Sequence, residues 1–222
     1  MVYRFGYWGD RKSGRSNKKG RPGRKGPPPG GGSVGGNGNI TWNSADKGTW
    51  MVLSNGDLTT TVTSGHAAWY AVRGTSSAAS GKWYYEITPI LDDGGSGTYI
   101  PGVAKVGASM NTFCGGDANG WGWQATKTAP LKWTNLTSGS YGTTIDPAGG
   151  IVIGVALDID AGTLTFYRDG VSQGVAYSSL SGTFYPCVSV LGAIGNPNAN
   201  AVFKASDWTH SPPANHLAWG ST

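Results

Sequence analysis

The sequence is poor in charge and in cysteine. Of its 222 residues only 13% are charged, and two are cysteines, Cys114 and Cys187. A coiled coil or a helical bundle needs many Leu, Glu, Lys and Ala residues, so this composition excludes both. Two cysteines cannot form the disulfide framework of a small secreted domain, and neither has a Cys or His neighbour at metal-ligand spacing. No apolar run approaches about 18 residues, so we expect no membrane insertion.

Residues suited to catalysis are also scarce. Glu86 is the only glutamate, and the three histidines lie in turn-like or C-terminal segments without a nucleophile elbow or paired carboxylates nearby. Asp158 and Asp160 resemble the opening of a calcium loop, but the glutamate that should close such a loop is missing. We therefore predict that the protein is not an enzyme, with no catalytic residue, no cofactor and no metal site.

Glycine and aromatic residues are abundant, with 38 glycines and ten each of Trp and Tyr. From about Ile40 onward, short apolar segments alternate with turn signals about every 8–12 residues, a spacing typical of strands. Asn55-Gly56 and Asp169-Gly170 favour tight hairpin turns. Two packed antiparallel sheets, an all-β fold, account for this pattern. The predicted strands are 49–53, 58–62, 67–73, 82–90, 100–109, 119–125, 150–157 and 184–191, with a hairpin that joins 163–167 to Val171.

The N-terminal segment has a different composition. Residues 1–32 contain nine Lys and Arg against one Asp, a net charge of +8, whereas residues 33–222 have a net charge of −3. Prolines 27–29 followed by glycines predict an extended arm that is too polar to fold alone. Its aromatic rings indicate a docking peptide, the alternative being a solubilising tail. The predicted anchoring residues are Tyr3, Arg4, Phe5, Tyr7, Trp8, Arg11 and Lys12.

Six segments of the predicted domain resemble, in the same order, the signatures of the SPRY family. They are 71–74 (AVRG), 80–87 (SGKWYYEI), 102–107 (GVAKVG), 120–123 (GWGW), 153–171 and 184–189 (FYPCVS). SPRY domains are bent antiparallel β-sandwiches of concanavalin-like topology, so the resemblance implies this fold. We divide the chain into an extended basic arm (1–39), a SPRY-like sandwich (40–208) and a C-terminal tail (209–222).

The resemblance also implies a ligand-binding surface. In peptide-binding SPRY proteins, loops form a shallow surface pocket that includes the arginine of the first signature and the residues after the last one. Aromatic or rigid residues between these positions are further candidate contacts. The predicted surface consists of Arg73, Tyr99, Pro101, Trp133, Tyr141, Val190, Leu191 and Gly192. By contrast, Trp83, Trp121 and Trp123 lie inside the signatures, so we assign them to the core.

Two hypotheses for function follow. The C-terminal residues 201–217 resemble the ending of SPRY modules in bacteriophage proteins, which together with the arm suggests a non-enzymatic virion accessory protein, a capsid decoration, fibre or tail-associated component. The arm would bind other capsid or tail proteins, and the SPRY loops would bind a host-surface glycan or protein. The alternative is an intracellular adaptor whose basic arm binds RNA and whose SPRY-like domain binds a peptide. Binding of nucleic acid by the arm is the weaker of these expectations.

Overall fold

The structure, a computed structural model, describes residues 40–63, 65–89, 99–146, 150–192 and 199–221. The chain divides into two units, Met1–Ser33 and Val34–Thr222. The anchoring residues predicted in the arm all lie outside the described residues. Within the part that is described, no helix is long and apolar enough to cross a membrane.

Two sheets form the body, as predicted, and all of their neighbouring strands on the main path pair antiparallel. The first sheet has the order β1-β4-β13-β6-β7-β8-β9. Its strands are β1 (Trp42–Lys47), β4 (Trp69–Gly74), β13 (Tyr185–Leu191), β6 (Tyr99–Ala104), β7 (Gly120–Gln124), β8 (Leu131–Thr134) and β9 (Thr137–Ser140).

The second sheet has the order β12-β11-β10-β5-β14-β3-β2. Its strands are β12 (Val171–Tyr177), β11 (Thr163–Arg168), β10 (Ile153–Asp158), β5 (Lys82–Pro89), β14 (Ala199–Val202), β3 (Thr59–Val62) and β2 (Met51–Ser54). A two-residue strand, β15 (Leu217–Ala218), adds to β5 in parallel beside β14. Besides the strands, the described residues contain a short 3-10 helix, Ala205–Asp207.

The hairpin dipeptides behave as their chemistry predicts. Asp169 and Gly170 have φ values of 46° and 77°, and they join β11 to β12 with Arg168 opposite Val171. Asn55 and Gly56 also have positive φ, but the turn from β2 to β3 continues through 57–58 before pairing resumes. Small or amide side chains tolerate this backbone conformation, which matches the twist of the flanking strands.

Successive side chains along a strand point to opposite faces of the sheet. In the first sheet, one face contributes to the core between the sheets and the other carries a smaller apolar cluster. On β13, Val188 and Val190 belong to the main core, whereas Cys187 belongs to the outer cluster. The segment 105–119 covers that outer face and contributes Cys114 and half-buried neighbours such as Phe113. The predicted strand 100–109 was therefore too long, because its second half leaves the sheet and crosses over it.

The C-terminal segment is attached to the outer face of the second sheet through Glu86. This carboxylate is fully buried and accepts hydrogen bonds from the backbone N–H groups of Thr209 (2.7 Å) and His210 (2.9 Å). The hydroxyl of Tyr84 donates a third bond to it, at 3.1 Å. Together with β15, these bonds hold residues that the sequence assigned to a tail against the sandwich.

Replacing Glu86 with alanine should loosen this attachment. Glu86→Ala leaves two backbone N–H groups without their charged acceptor, so we expect the free energy of unfolding in urea to fall by about 2–4 kcal/mol. The matched control is Asp207→Ala, since Asp207 is exposed and bonds only within its own turn. Equal stability of the two variants would contradict the role of Glu86.

Candidate ligand-binding end of the sandwich

Arg73 lies in the interior, not on the predicted ligand surface. It is 7% exposed, and its guanidinium donates to both carboxylate oxygens of Asp46, at 2.7 and 2.8 Å. The same guanidinium donates to the carbonyl oxygens of Lys105 and Val106 in the segment 105–119. Because its donors are used in this way, Arg73 fixes the covering segment against β1 and β4. Arg73 is therefore a buried structural residue and not the surface contact that the sequence predicted.

Other predicted contacts are also buried. Tyr99 and Val190 face each other across β6 and β13, are at most 1% exposed, and point into the core. Pro101 and Gly192 are buried as well. These positions lie on central strands or at their ends, where both faces of the sheet are covered. Of this group only Leu191 is partly exposed, where it pairs with Trp69 at the start of β4.

Trp133 and Tyr141 are half-buried and bonded to the protein itself. The indole of Trp133 donates to the side-chain oxygen of Gln124 at 2.9 Å. The hydroxyl of Tyr141 donates to the carbonyl oxygen of Gly174 at 2.6 Å, and burial raises the pKa of Tyr141 to about 12. The Trp133 side chain therefore links β8 to β7 within the first sheet, whereas Tyr141 bonds to β12 of the second sheet. Neither lies with Leu191 at the end of the sandwich.

Strand ends from both sheets meet at one end of the sandwich. In the first sheet, β4 begins at Trp69 opposite the end of β13 at Leu191. In the second sheet, β3 ends at Val62, whose side chain packs next to Gly192. Gly192 donates its N–H to the carbonyl oxygen of Ala68 at 2.9 Å, and a Cβ on Gly192 would collide with the carbonyl of His66. The absence of a side chain at Gly192 thus lets the segment 65–68 lie close against β13.

An aromatic pair, Trp50 and His66, is presented at this end. Their rings are stacked with centroids 3.7 Å apart and planes inclined by 12°. Trp50 is 42% exposed, and its carbonyl oxygen accepts the N–H of Thr63 at 2.9 Å, which fixes the turn that carries it. We call the surface formed by Trp50, His66, Ala68, Trp69 and Leu191 the Trp50 end.

None of the five residues that define the Trp50 end is Asp, Glu, Lys or Arg, and among the described residues nearby the ammonium of Lys47 is bonded to the carbonyl oxygen of Met51 at 2.7 Å. A partly exposed aromatic surface of this kind suits an apolar or aromatic group from a partner, because such a group is desolvated at little polar cost. Sequence reasoning missed Trp50 and His66. Trp50 falls inside a predicted strand, and only the folding of segment 65–68 brings His66 against it. The predicted surface thus shares only Leu191 with the Trp50 end.

The carboxylates that resembled a calcium loop are used by the protein itself. Asp158 forms an ion pair with Lys82 at 2.8 Å and accepts the N–H of Ala161, while Asp160 accepts the N–H of Gly81. Burial acts to raise the pKa of Asp158, but the hydrogen bond and charge of Lys82 outweigh it and hold that pKa below its usual value. No group of three or more His, Cys, Asp or Glu side chains in the described ranges is placed to hold a metal ion.

Burial also limits the chemistry of the cysteines. Cys114 and Cys187 are both free and buried in the outer cluster. Burial raises the pKa of the Cys114 thiol well above its usual value, with the neighbouring Cys187 adding to the effect. A thiol of raised pKa is a poor nucleophile at neutral pH, because the thiolate is the reactive form.

Fold and surface together define a β-sandwich of two antiparallel sheets, with aromatic and apolar side chains where its strand ends meet. The family model described as "SPRY domain" matches residues 82–202, more than half of the chain. The chain therefore belongs to the SPRY domain family. The family resemblance inferred from the sequence is confirmed; nothing among these comparisons points to phage modules in particular.

Three mammalian proteins illustrate the sequence similarity. SPRY domain-containing SOCS box protein 1 of Bos taurus, Homo sapiens and Mus musculus is 30% identical over 132 residues, which are 54% of this chain and 48% of that protein. The chain thus spans about half the length of the curated relatives it matches.

Solved structures agree on the fold. The SPRY domain of human HERC1 matches with a TM-score of 0.58 at 16% identity, over 72% of this chain and 96% of that one. The TRIM65 PSpry domain matches with a TM-score of 0.57 at 17% identity, over 74% and 92%. Stonustoxin matches with a TM-score of 0.59 at 14% identity, over 74% of this chain and 28% of the toxin chain. At these identities the likeness establishes the sandwich fold alone.

The structural role of Arg73 can be tested by stability. Arg73→Met removes the partner of Asp46 and the donors that hold segment 105–119, so we expect the free energy of unfolding to fall by about 2–3 kcal/mol in urea denaturation. The expected loss of stability is moderate because the Asp46 side chain is 31% exposed, so water can solvate its carboxylate once Arg73 is replaced. Arg168→Met, which removes a guanidinium 38% exposed, is the matched control and should change stability little. A variant of Arg73 as stable as the wild type would contradict this role.

Proposed function

We propose that the chain is a non-enzymatic protein-binding module that holds a segment of a partner protein at the Trp50 end. The observation that carries the proposal is the stacked pair of Trp50, which is 42% exposed, and His66, which is partly buried beneath it. Exposed aromatic anchors at the meeting point of loops are typical of binding hot spots. The same end offers Leu191 and Trp69 as further apolar contact area.

The partner segment is expected to contribute an apolar or aromatic side chain. Because the five residues of the Trp50 end include no Lys or Arg, a phosphorylated or strongly acidic peptide finds no cationic partner among them. The non-enzymatic part of the proposal is supported by Glu86, whose carboxylate is buried and bonded to the C-terminal segment.

Trp50→Ala should remove most of the affinity. Peptides are first selected from a random library on the full chain and then titrated by calorimetry. Loss of a hot-spot tryptophan costs about 2 kcal/mol or more, so we expect a dissociation constant about thirtyfold higher or more. Val175→Ala, which shortens a side chain 58% exposed on β12, is the control and should leave affinity unchanged. Selected peptides that bind the Trp50 variant as tightly as the wild type would refute the proposal.

For the whole chain, we propose that the basic arm is a tether. Its net charge of +8 against −3 for the rest suits an acidic surface or phosphates. A more specific hypothesis is that the chain is a phage virion component. Its arm would bind capsid or tail, and its SPRY domain would be displayed to a host glycan or protein. This hypothesis rests on the basic arm and on the resemblance of residues 201–217 to the ends of phage SPRY modules. None of the named relatives supports it. The intracellular adaptor is favoured by the 30% identity to SPRY domain-containing SOCS box protein 1.

Deletion of residues 1–32 distinguishes the two hypotheses. For a virion protein, the truncated chain should fold but be missing from purified particles, as measured by mass spectrometry. Normal incorporation of the truncated chain would contradict anchoring by the arm. If the full chain is absent from particles and is recovered from cell extract with RNA in a salt-dependent complex, the adaptor hypothesis is favoured instead.

A further inference from the structure

β9 is an edge strand with unused backbone groups. It pairs only with β8, through a hairpin in which Thr134 opposes Thr137 and Trp133 opposes Ser138. In a two-residue hairpin the first pair is the hydrogen-bonded one and the pairs then alternate. The N–H of Tyr141 donates to the carbonyl of Pro130, so this pair is hydrogen-bonded, as the alternation requires.

It follows that Ser138 and Ser140 direct their N–H and C=O groups away from β8. Both residues are exposed, and no described residue hydrogen-bonds to these backbone groups. The strand also lacks the features that usually protect an edge, since the sequence TSGS contains no charge and no proline. An unprotected edge of this kind can pair with a strand of another chain.

In contrast to β9, the nearest edge strand of the second sheet, β12, is protected. On β12, the carbonyl of Gly174 accepts the hydroxyl of Tyr141 and the carbonyl of Ala176 accepts the ammonium of Lys132, at 2.6 Å each. The register of β12 against β11 is also broken twice. Side chains from the first sheet therefore occupy part of this edge, and bulges distort it.

The opposite edges are protected in similar ways. On β2, the ammonium of Lys47 donates to the carbonyl of Met51 at 2.7 Å. On β1, the pairing with β4 shifts register between Trp42 and Lys47, and the N–H of Ala45 is taken by the side chain of Asn43. β9 is thus the one edge of the described sandwich that is regular, neutral and unbonded on its outer side.

β9 is complementary to itself. Two copies that meet antiparallel around a two-fold axis at Gly139 place Ser138 of one opposite Ser140 of the other. Both members of that pair have outward N–H and C=O groups, so each pair closes two hydrogen bonds. Gly139 faces its own counterpart at the axis and brings no side chain into contact there. Because the strand is neutral, the two copies meet without like charges opposed.

A knob and a cleft extend this pairing. Leu136, at the tip of the hairpin, is 67% exposed and has a φ of 59°, a conformation that a leucine adopts only with strain. The two-fold register that pairs Ser138 with Ser140 brings Leu136 alongside Gly142 of the other copy. Gly142 borders a surface cleft whose other lining residues are Thr143, Arg168, Asp169, Val171, Ser172 and Gln173. Val171, which is 65% exposed, is the aliphatic side chain of this lining that Leu136 can contact.

We propose that two copies of this chain associate through β9, forming a continuous antiparallel sheet across a two-fold axis with Leu136 of each copy in the Gly142 cleft of the other. The interface leaves the Trp50 end free, because the interface lies at the outer edge of the first sheet, beyond β8. A dimer of this kind presents two binding ends at once, which strengthens attachment to any target with repeated copies.

Sedimentation equilibrium of the full chain tests the proposal. The wild type should approach twice its mass of 23.0 kDa as concentration rises. Ser138→Pro removes an outward N–H without touching the bonds to β8, which an edge strand tolerates. The variant should raise the dimer dissociation constant by about tenfold or more, the loss expected for one hydrogen bond from each copy.

Two further variants separate association from folding. Ser138→Ala keeps the backbone donor and should dimerise as the wild type does. Leu136→Gly suits the positive φ, so thermal stability should hold or rise while the dimer weakens. A wild type that stays monomeric up to the millimolar range overturns the proposal, as does a dimer that Ser138→Pro and Leu136→Gly leave unchanged.

Discussion

The two sheets are held in register by Tyr85, at the centre of the sandwich. Its hydroxyl lies 2.6 Å from the carbonyl oxygen of Gly102 and 2.9 Å from that of Cys187, both in the opposite sheet. Burial raises the pKa of Tyr85, which keeps the hydroxyl protonated and able to donate. Aromatic contacts with Trp42 and Phe203 surround this bridge. Once the sheets are fixed in this way, the ends of their strands must meet, and the Trp50 end is one result.

Two surfaces with different chemistry arise from this arrangement. The Trp50 end offers side chains, a stacked Trp50 and His66 with apolar neighbours and no charge. The β9 edge offers backbone groups of Ser138 and Ser140, which any extended strand can pair with and which only the register of a partner makes selective. In the two proposals, the side chains of the Trp50 end bind a partner segment and the backbone groups of β9 pair two copies of the chain.

Most of the fold was predictable because strand signals are local. The hairpin at Asp169-Gly170, the buried β10 and the SPRY signatures were all identified, and Trp123 lies in the core as expected while Trp83 and Trp121 are half-buried against it. Strands β1, β8, β9 and β14 were missed because residues such as Lys, Asn, Ser, Thr and Gly give a weak strand signal. β15 was missed because a two-residue strand has no periodicity of its own.

The sequence by itself determined the class of the protein. Turn dipeptides, aromatic strands and the ordered family signatures are properties of short segments, and they specify an all-β SPRY sandwich with a basic N-terminal arm. The tertiary structure decided which residues are exposed. Arg73, Tyr99 and Val190 look like contacts in the sequence but are buried, because a covering segment and the opposite sheet close over them. Exposure depends on which distant segments pack together, and no local pattern encodes it.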